Sequence, residues 1–170
     1  MPTTRFFTSL FLVVLIVPTV SSASDVELER FRIAAEKGDC AISFEGKQEP
    51  AVALSASTFD LPTVSQQEVI QLLDRFIGHG CSIHAADSNG VSPVNVAVLT
   101  SQPELLTYLL KKGGDPTARI VSSRQWANGK NSLELAELIF RTKPSPSRAA
   151  VIDILRRHES AVSTSNANGE

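Results

Sequence analysis

Apolar residues return along this chain in short blocks at helical spacing, separated by polar turns rich in Gly, Pro and Ser. Leu28, Phe31 and Ala35 share one face of a helix expected from about Asp25 to Lys37. Val69, Leu72, Leu73, Phe76 and Ile77 form a second one-sided stripe. Ser65 reads as its N-cap, with Glu68 completing a capping box, and Gly78 and Gly80 end it. The pairs Leu105-Leu106 and Leu109-Leu110 make a third stripe, opened by Gln102-Pro103-Glu104. Shorter apolar segments lie between these helices. One runs from Pro50, suited to a first helical position, to about Phe59; another opens at Ser92-Pro93; a third runs from Ser132 to about Phe140. Residues 38–49 read as a turn-rich connection, and Lys143-Pro144-Ser145-Pro146-Ser147 as a turn into a last helix ending near His158. Residues 160–170 are small and polar, the composition of a disordered tail.

The blocks repeat. Gly80 and Gly113 lie 33 residues apart, and at that offset Phe76-Ile77 falls on Leu109-Leu110. Gly38-Asp39 precedes Gly80-Cys81 by 42 residues, Pro50 precedes Pro93 by 43, and Ile154-Leu155 follows Leu109-Leu110 by 45. The surplus falls in Asp60–Val64 and between Ala118 and Lys130. The clearest unit carries Asp87, Gly90, Ser92-Pro93-Val94-Asn95 and Ala97, then the two leucine pairs, then Gly113-Gly114-Asp115. It resembles an ankyrin repeat, whose pattern is D-x-x-G-x-T-P-L-H-x-A-A, a leucine pair and G-A-D. The resemblance covers about Leu28 to His158. It departs from the pattern at Asn95, where the family has a histidine that hydrogen-bonds between adjacent turns, and at Ser92, which keeps the hydroxyl of the usual threonine. The resemblance implies an all-α fold: a short helix–turn–helix solenoid of about three helix pairs with an N-terminal capping helix, each unit burying its apolar face against its neighbour.

Composition bounds the rest. With 170 residues, 42% apolar and 20% charged, the expectation is one globular domain. A formal net charge of −2 offers no footprint for nucleic acid. Arg5 followed by the apolar run Phe6–Val17, Pro18 and the small residues Ser21-Ser22-Ala23 reads as a signal peptide over residues 1–23. The run is too short to span a bilayer. Cleavage after Ala23 leaves a domain at 24–159 and the tail at 160–170. The residue directly after the cleavage point is Ser24 and not a cysteine, so a bacterial lipid anchor is not indicated, and periplasmic export is expected, with eukaryotic secretion as the alternative.

An oxidising compartment allows the two cysteines, Cys40 and Cys81, to bond. The repeat register implied by the resemblance puts both in equivalent turns of adjacent units, so a disulfide is expected; two small buried thiols are the alternative. His79, Cys81 and His84 also form a compact H-x-C-x-x-H cluster. Its spacing matches no closed zinc site and lacks a fourth ligand, and a bonded Cys81 removes its thiolate. No metal and no cofactor is expected.

No nucleophile elbow, P-loop or dinucleotide fingerprint occurs, so the chain is not read as an enzyme. The resemblance implies protein binding through projecting turns and short inner helices. On this sequence that face includes His84, Asp87, Asn89 and Asn95, and the long turn from Ala118 to Lys130 with Arg119, Arg124, Gln125, Trp126, Asn128 and Lys130. That turn is longer than the repeat needs and holds the chain's one Trp with three basic residues and no acid. Trp and Arg are enriched at binding hot spots; the alternative is that Trp126 covers the open end of the core. The expected function is a non-enzymatic, exported binding module, foremost an immunity protein or inhibitor that blocks a toxin or enzyme. The alternatives are an accessory protein of a periplasmic enzyme, for example in oxidative-stress defence, and a small metal- or haem-binding protein using His79, Cys81 and His84. No nucleic acid and no stable membrane anchor after cleavage is expected.

Overall fold

Each apolar block becomes a helix, and the helices pack in pairs. The computed structural model describes residues 23–167, so the expected signal peptide lies outside the described residues except for Ala23. The order is α1 (Ala23–Lys37), β1 (Ala41–Phe44), β2 (Lys47–Pro50), α2 (Ala51–Ala56), α3 (Gln66–Gly78), α4 (Pro93–Leu99), α5 (Pro103–Lys111), α6 (Ser132–Thr142) and α7 (Pro146–Ala167). The short helices α2, α4 and α6 pack successively on one another, and each packs on the longer helix that follows it. α1 lies on α3, and α7 on α5. Asp74 of α3 joins α5 by accepting from the Tyr108 hydroxyl at 2.9 Å and pairing with Lys112 at 2.6 Å. The core runs between the rows: Leu73, Phe76, Leu105, Leu106, Leu109, Leu135 and Leu155 are all buried. Fully burying each such side chain contributes roughly 1.5–3 kcal/mol.

α1, α3 and α5 end in the same way. The amides of Asp39, Cys81 and Gly114 donate back to the carbonyls of Ala34, Phe76 and Leu109 at 2.9, 3.0 and 2.9 Å. Each closure needs a left-handed residue just past the helix, met by Gly38, Gly80 and Gly113 with φ of 73°, 87° and 92°. Cys40 and Cys81 follow two of these equivalent turns and form the expected disulfide, with Cα atoms 5.0 Å apart.

Several expectations change. The segment read as turn-rich is an antiparallel hairpin, Ile42 opposite Glu49 and Phe44 opposite Lys47, so the described fold is mostly helical with one small two-stranded sheet rather than all-α. Its turn places Glu45 and Gly46 at φ 47° and 77°, the geometry of a two-residue hairpin; glutamate is an unusual left-handed residue, which hides the signal. Pro50 closes β2 instead of starting α2, which stops at Ala56, where Ser57 and Thr58 hydroxyls take the carbonyls of Leu54 and Ser55. Ser65 stands at the N-cap of α3 without a side-chain cap bond, and the Glu68 carboxylate, expected to complete a capping box there, accepts instead from Arg32 of α1. The capping box occurs instead at α6, between Asn131 and Glu134. The expected disordered tail is corrected over Ser160–Ala167, which continues α7 past His158: Ser160, Ser163 and Thr164 hydroxyls donate to the carbonyls of Arg156, Glu159 and Ser160, so they are satisfied within the helix. Residues 168–170 lie outside the described residues.

Candidate functional site

Three turns project beside the short helices, and each is tied internally. The first is the β1–β2 hairpin. In the second, one Asp87 carboxylate oxygen accepts the amides of Asn89 and Val91 at 2.9 and 2.8 Å, while the Asp87 carbonyl accepts Gly90 N–H. The third runs from Ile120 to Lys130. Ile120 exchanges backbone bonds with Lys130 and Gly129 at 3.0 and 2.8 Å, and Ile120 and Ala127 anchor it in the core.

The turns are also tied to one another. Glu49, buried in the hairpin, accepts the Ser88 amide at 2.8 Å, and Lys47 reaches the Ser88 hydroxyl at 3.4 Å. Gly90 lies so close to the third turn that a Cβ there would sit 2.0 Å from the Val121 carbonyl oxygen. The result is one continuous edge. Beneath it is a groove of about 380 Å³. Phe44 and Lys47 form one wall, Leu54 of α2 and Val96 of α4 contribute apolar surface, and Asn89 and Arg124 line it from the other two turns.

Of the residues expected at a binding face, the fold brings Asp87, Asn89 and Arg124 together around this groove. Gln125 and Trp126 are exposed on the same turn as Arg124, Trp126 by 47%. Ile120 and Ala127, not Trp126, are the residues of that turn sealed into the core. Val121, 81% exposed, joins Trp126 as an apolar projection. The Arg124 guanidinium makes no hydrogen bond or ion pair among the described residues.

Other expected contact residues hold the turn together. Asn95 is corrected: it is only 1% exposed, and its Oδ1 accepts from the Ser132 hydroxyl at 2.8 Å, joining α4 to the start of α6. Asn128 accepts the Ser122 amide at 3.0 Å, and Arg119 donates to the Gly129 carbonyl and pairs with Glu134 at 3.0 Å. Lys130 is half-buried and supplies its carbonyl to Ile120. His84 is exposed outside the groove, near Asp115, whose carboxyl is held below the usual carboxylate range by hydrogen bonds from the Thr117 hydroxyl and the Thr117 and Ala118 amides. Phe44, Lys47 and Glu49 went unrecognised in the sequence because their placement depends on the hairpin.

The Cys81 sulfur is bonded to Cys40, so the His79–Cys81–His84 cluster has no thiolate to offer a metal. Among the described residues, no three His, Cys, Asp or Glu side chains are grouped to hold a metal ion. In the groove, Glu49 and Asp87 use their carboxylates on backbone amides, leaving Arg124 as the guanidinium open to an outside group. Such an arrangement can recognise a surface. No family model and no curated protein matches this chain.

Proposed function

We propose that the chain is a short ankyrin-like array, exported through a cleaved signal peptide, that binds another protein along the three-turn edge and its groove. Repeated glycine closures after α1, α3 and α5, and successive stacking of helix pairs, support the array reading. The observation that carries the binding reading is the third turn. Val121 and Trp126 project from a loop pinned at both ends, beside an Arg124 guanidinium with no partner among the described residues. Ordering such groups in advance lowers the entropy cost of docking, and exposed aromatic and arginine side chains are the usual anchors. A pre-shaped edge of this kind suits an inhibitor that covers a surface of a toxin or enzyme, and that is the role proposed.

The test is capture from the exported fraction with Trp126→Ala/Arg124→Ala as control. One protein retained by the wild type, inhibited by it in proportion to occupancy, and lost with the double variant at an unchanged melting temperature is the expected result. Equal capture by both chains overturns the assignment of the edge. Capture without inhibition overturns the inhibitor role and favours an accessory one. N-terminal sequencing of the exported chain is expected to start at Ser24; a start at Met1 or Pro2 overturns the cleavage reading.

A further inference from the structure

The β1–β2 hairpin supplies one wall of the groove through Phe44 and Lys47, yet few contacts hold it in place. A lone two-stranded hairpin is marginal in water. Of residues 41–50, only Ile42 joins the buried apolar core. At the base of the hairpin the Ala51 amide donates to the Cys40 carbonyl at 2.9 Å, and Arg30 of α1 donates to the Ser43 carbonyl at 2.5 Å. Toward the second turn, Glu49 accepts the Ser88 amide at 2.8 Å, and Lys47 reaches the Ser88 hydroxyl. The strongest tie is covalent: Cys40, directly before β1, is bonded to Cys81, which follows the closing turn of α3.

The two bonded residues stand differently toward solvent. Cys40 is exposed, whereas Cys81 is only 4% exposed. A thiolate from outside therefore meets the bond at Cys40. With a dithiol reductant, a new bond forms to the Cys40 sulfur, the Cys40–Cys81 bond breaks, and Cys81 leaves with the electron pair. Burial disfavours the Cys81 thiolate, so it takes up from water the proton that the attacking thiol gave up. The second thiol of the reductant then attacks its own sulfur in the mixed disulfide and releases Cys40. One protein disulfide becomes two thiols, and the dithiol becomes a disulfide.

We infer that the Cys40–Cys81 bond is a reducible latch on the three-turn edge, opened by dithiol exchange at Cys40. Once it opens, the hairpin leaves Ser88 and the groove loses its Phe44–Lys47 wall. The second and third turns stay in place, because the Asp87 bonds and the approach of Gly90 to Val121 do not involve the hairpin. The packing of α4 with α5 and α6, and of α7 with α5 and α6, does not involve it either. The latch thus regulates the edge proposed above as the binding surface, and rests on that reading.

Amide hydrogen exchange of the full chain, oxidised and after dithiothreitol without denaturant, tests this. Residues 41–50 and the Ser88 amide are expected to exchange about tenfold or more faster in the reduced chain. The amides of α5 and α7 are expected to keep their protection. Cys40→Ser/Cys81→Ser is expected to match the reduced chain and to ignore dithiothreitol. Brief exposure to glutathione followed by acid quench is expected to leave the adduct mainly on Cys40. A bond that resists dithiothreitol until denaturant is added, or a Ser88 amide equally protected after reduction, overturns the proposal. So does an adduct mainly on Cys81, or simultaneous loss of protection in the hairpin, α5 and α7. These readouts need no partner, so they are independent of capture by Trp126→Ala/Arg124→Ala. Equal capture by that variant and the wild type, with the exchange result intact, removes the binding role of the edge and not the latch.

Discussion

At the residue scale, two glycines with similar backbones make different demands. Gly90 and Gly113 both have positive φ, 76° and 92°. A Cβ at Gly113 meets open space, whereas at Gly90 it would lie 2.0 Å from the Val121 carbonyl oxygen. Gly113→Ala therefore costs only the left-handed strain of about 1–2 kcal/mol. Gly90→Ala adds displacement of the third turn and is expected to cost more than about 3 kcal/mol and to disturb Trp126 fluorescence. Urea denaturation of the two variants checks this; equal losses would show that the second and third turns are not locked together. Gly90 was legible as a turn residue, but its closeness to Val121 was not, since 31 residues separate them. Asn95 shows the same division. Its helical position followed from Ser92-Pro93, while its burial depends on Ser132, 37 residues away.

Among elements, the long helices were the legible part, because a one-sided apolar stripe follows directly from a 3.6-residue period. α3 and α5 match their stripes, with Val69, Leu72, Leu73 and Phe76 buried in one and both leucine pairs in the other. The hairpin was missed because a strand pair is made by the meeting of two segments, and its Glu45-Gly46 turn lacks the usual Asn-Gly signature. The contact between α3 and α5 also sets a pH response. Lys112, with the Tyr108 hydroxyl, holds the Asp74 carboxyl below its ordinary 3.8, so its contribution to stability is present above that pH and lost as pH falls through the lower folded value. Burial, and then Asp74, push the Tyr108 hydroxyl above its ordinary 10.0, so its contribution is present below pH 10 and lost as pH rises through the higher folded value. Urea midpoints are therefore expected to fall at both extremes. Asp74→Asn should flatten the acid limb and Tyr108→Phe the alkaline one; an unaltered acid limb in Asp74→Asn would exclude this pair as its source.

At the scale of the whole molecule, the Cys40–Cys81 bond clamps the hairpin, and α1 before it, to the end of α3 across 41 residues of sequence. Constraint of the unfolded chain by a loop of that length stabilises by about 4 kcal/mol in the chain-entropy description. Reduction, or Cys40→Ser/Cys81→Ser, is expected to lower the unfolding free energy by about that amount and to raise hydrogen exchange first in α1 and the hairpin. A loss below about 1 kcal/mol would mean that burial of Leu28, Phe31 and Ile42 already holds that end in place. The sequence by itself determined the helix-rich class and the repeat of glycine-closed turns, because these rest on local periodicity and on one register carried along the chain; it raised the expectation of a Cys40–Cys81 bond, which the fold supplies by bringing the two turns together. Only the tertiary structure decided that residues 41–50 form a hairpin, that Glu49 and Gly90 weld three turns into one edge, and that Arg124 stands open while Asn95 is sealed inside. Those outcomes arise from contacts between segments tens of residues apart, where burial and hydrogen bonding are settled by what arrives opposite and not by the residue itself.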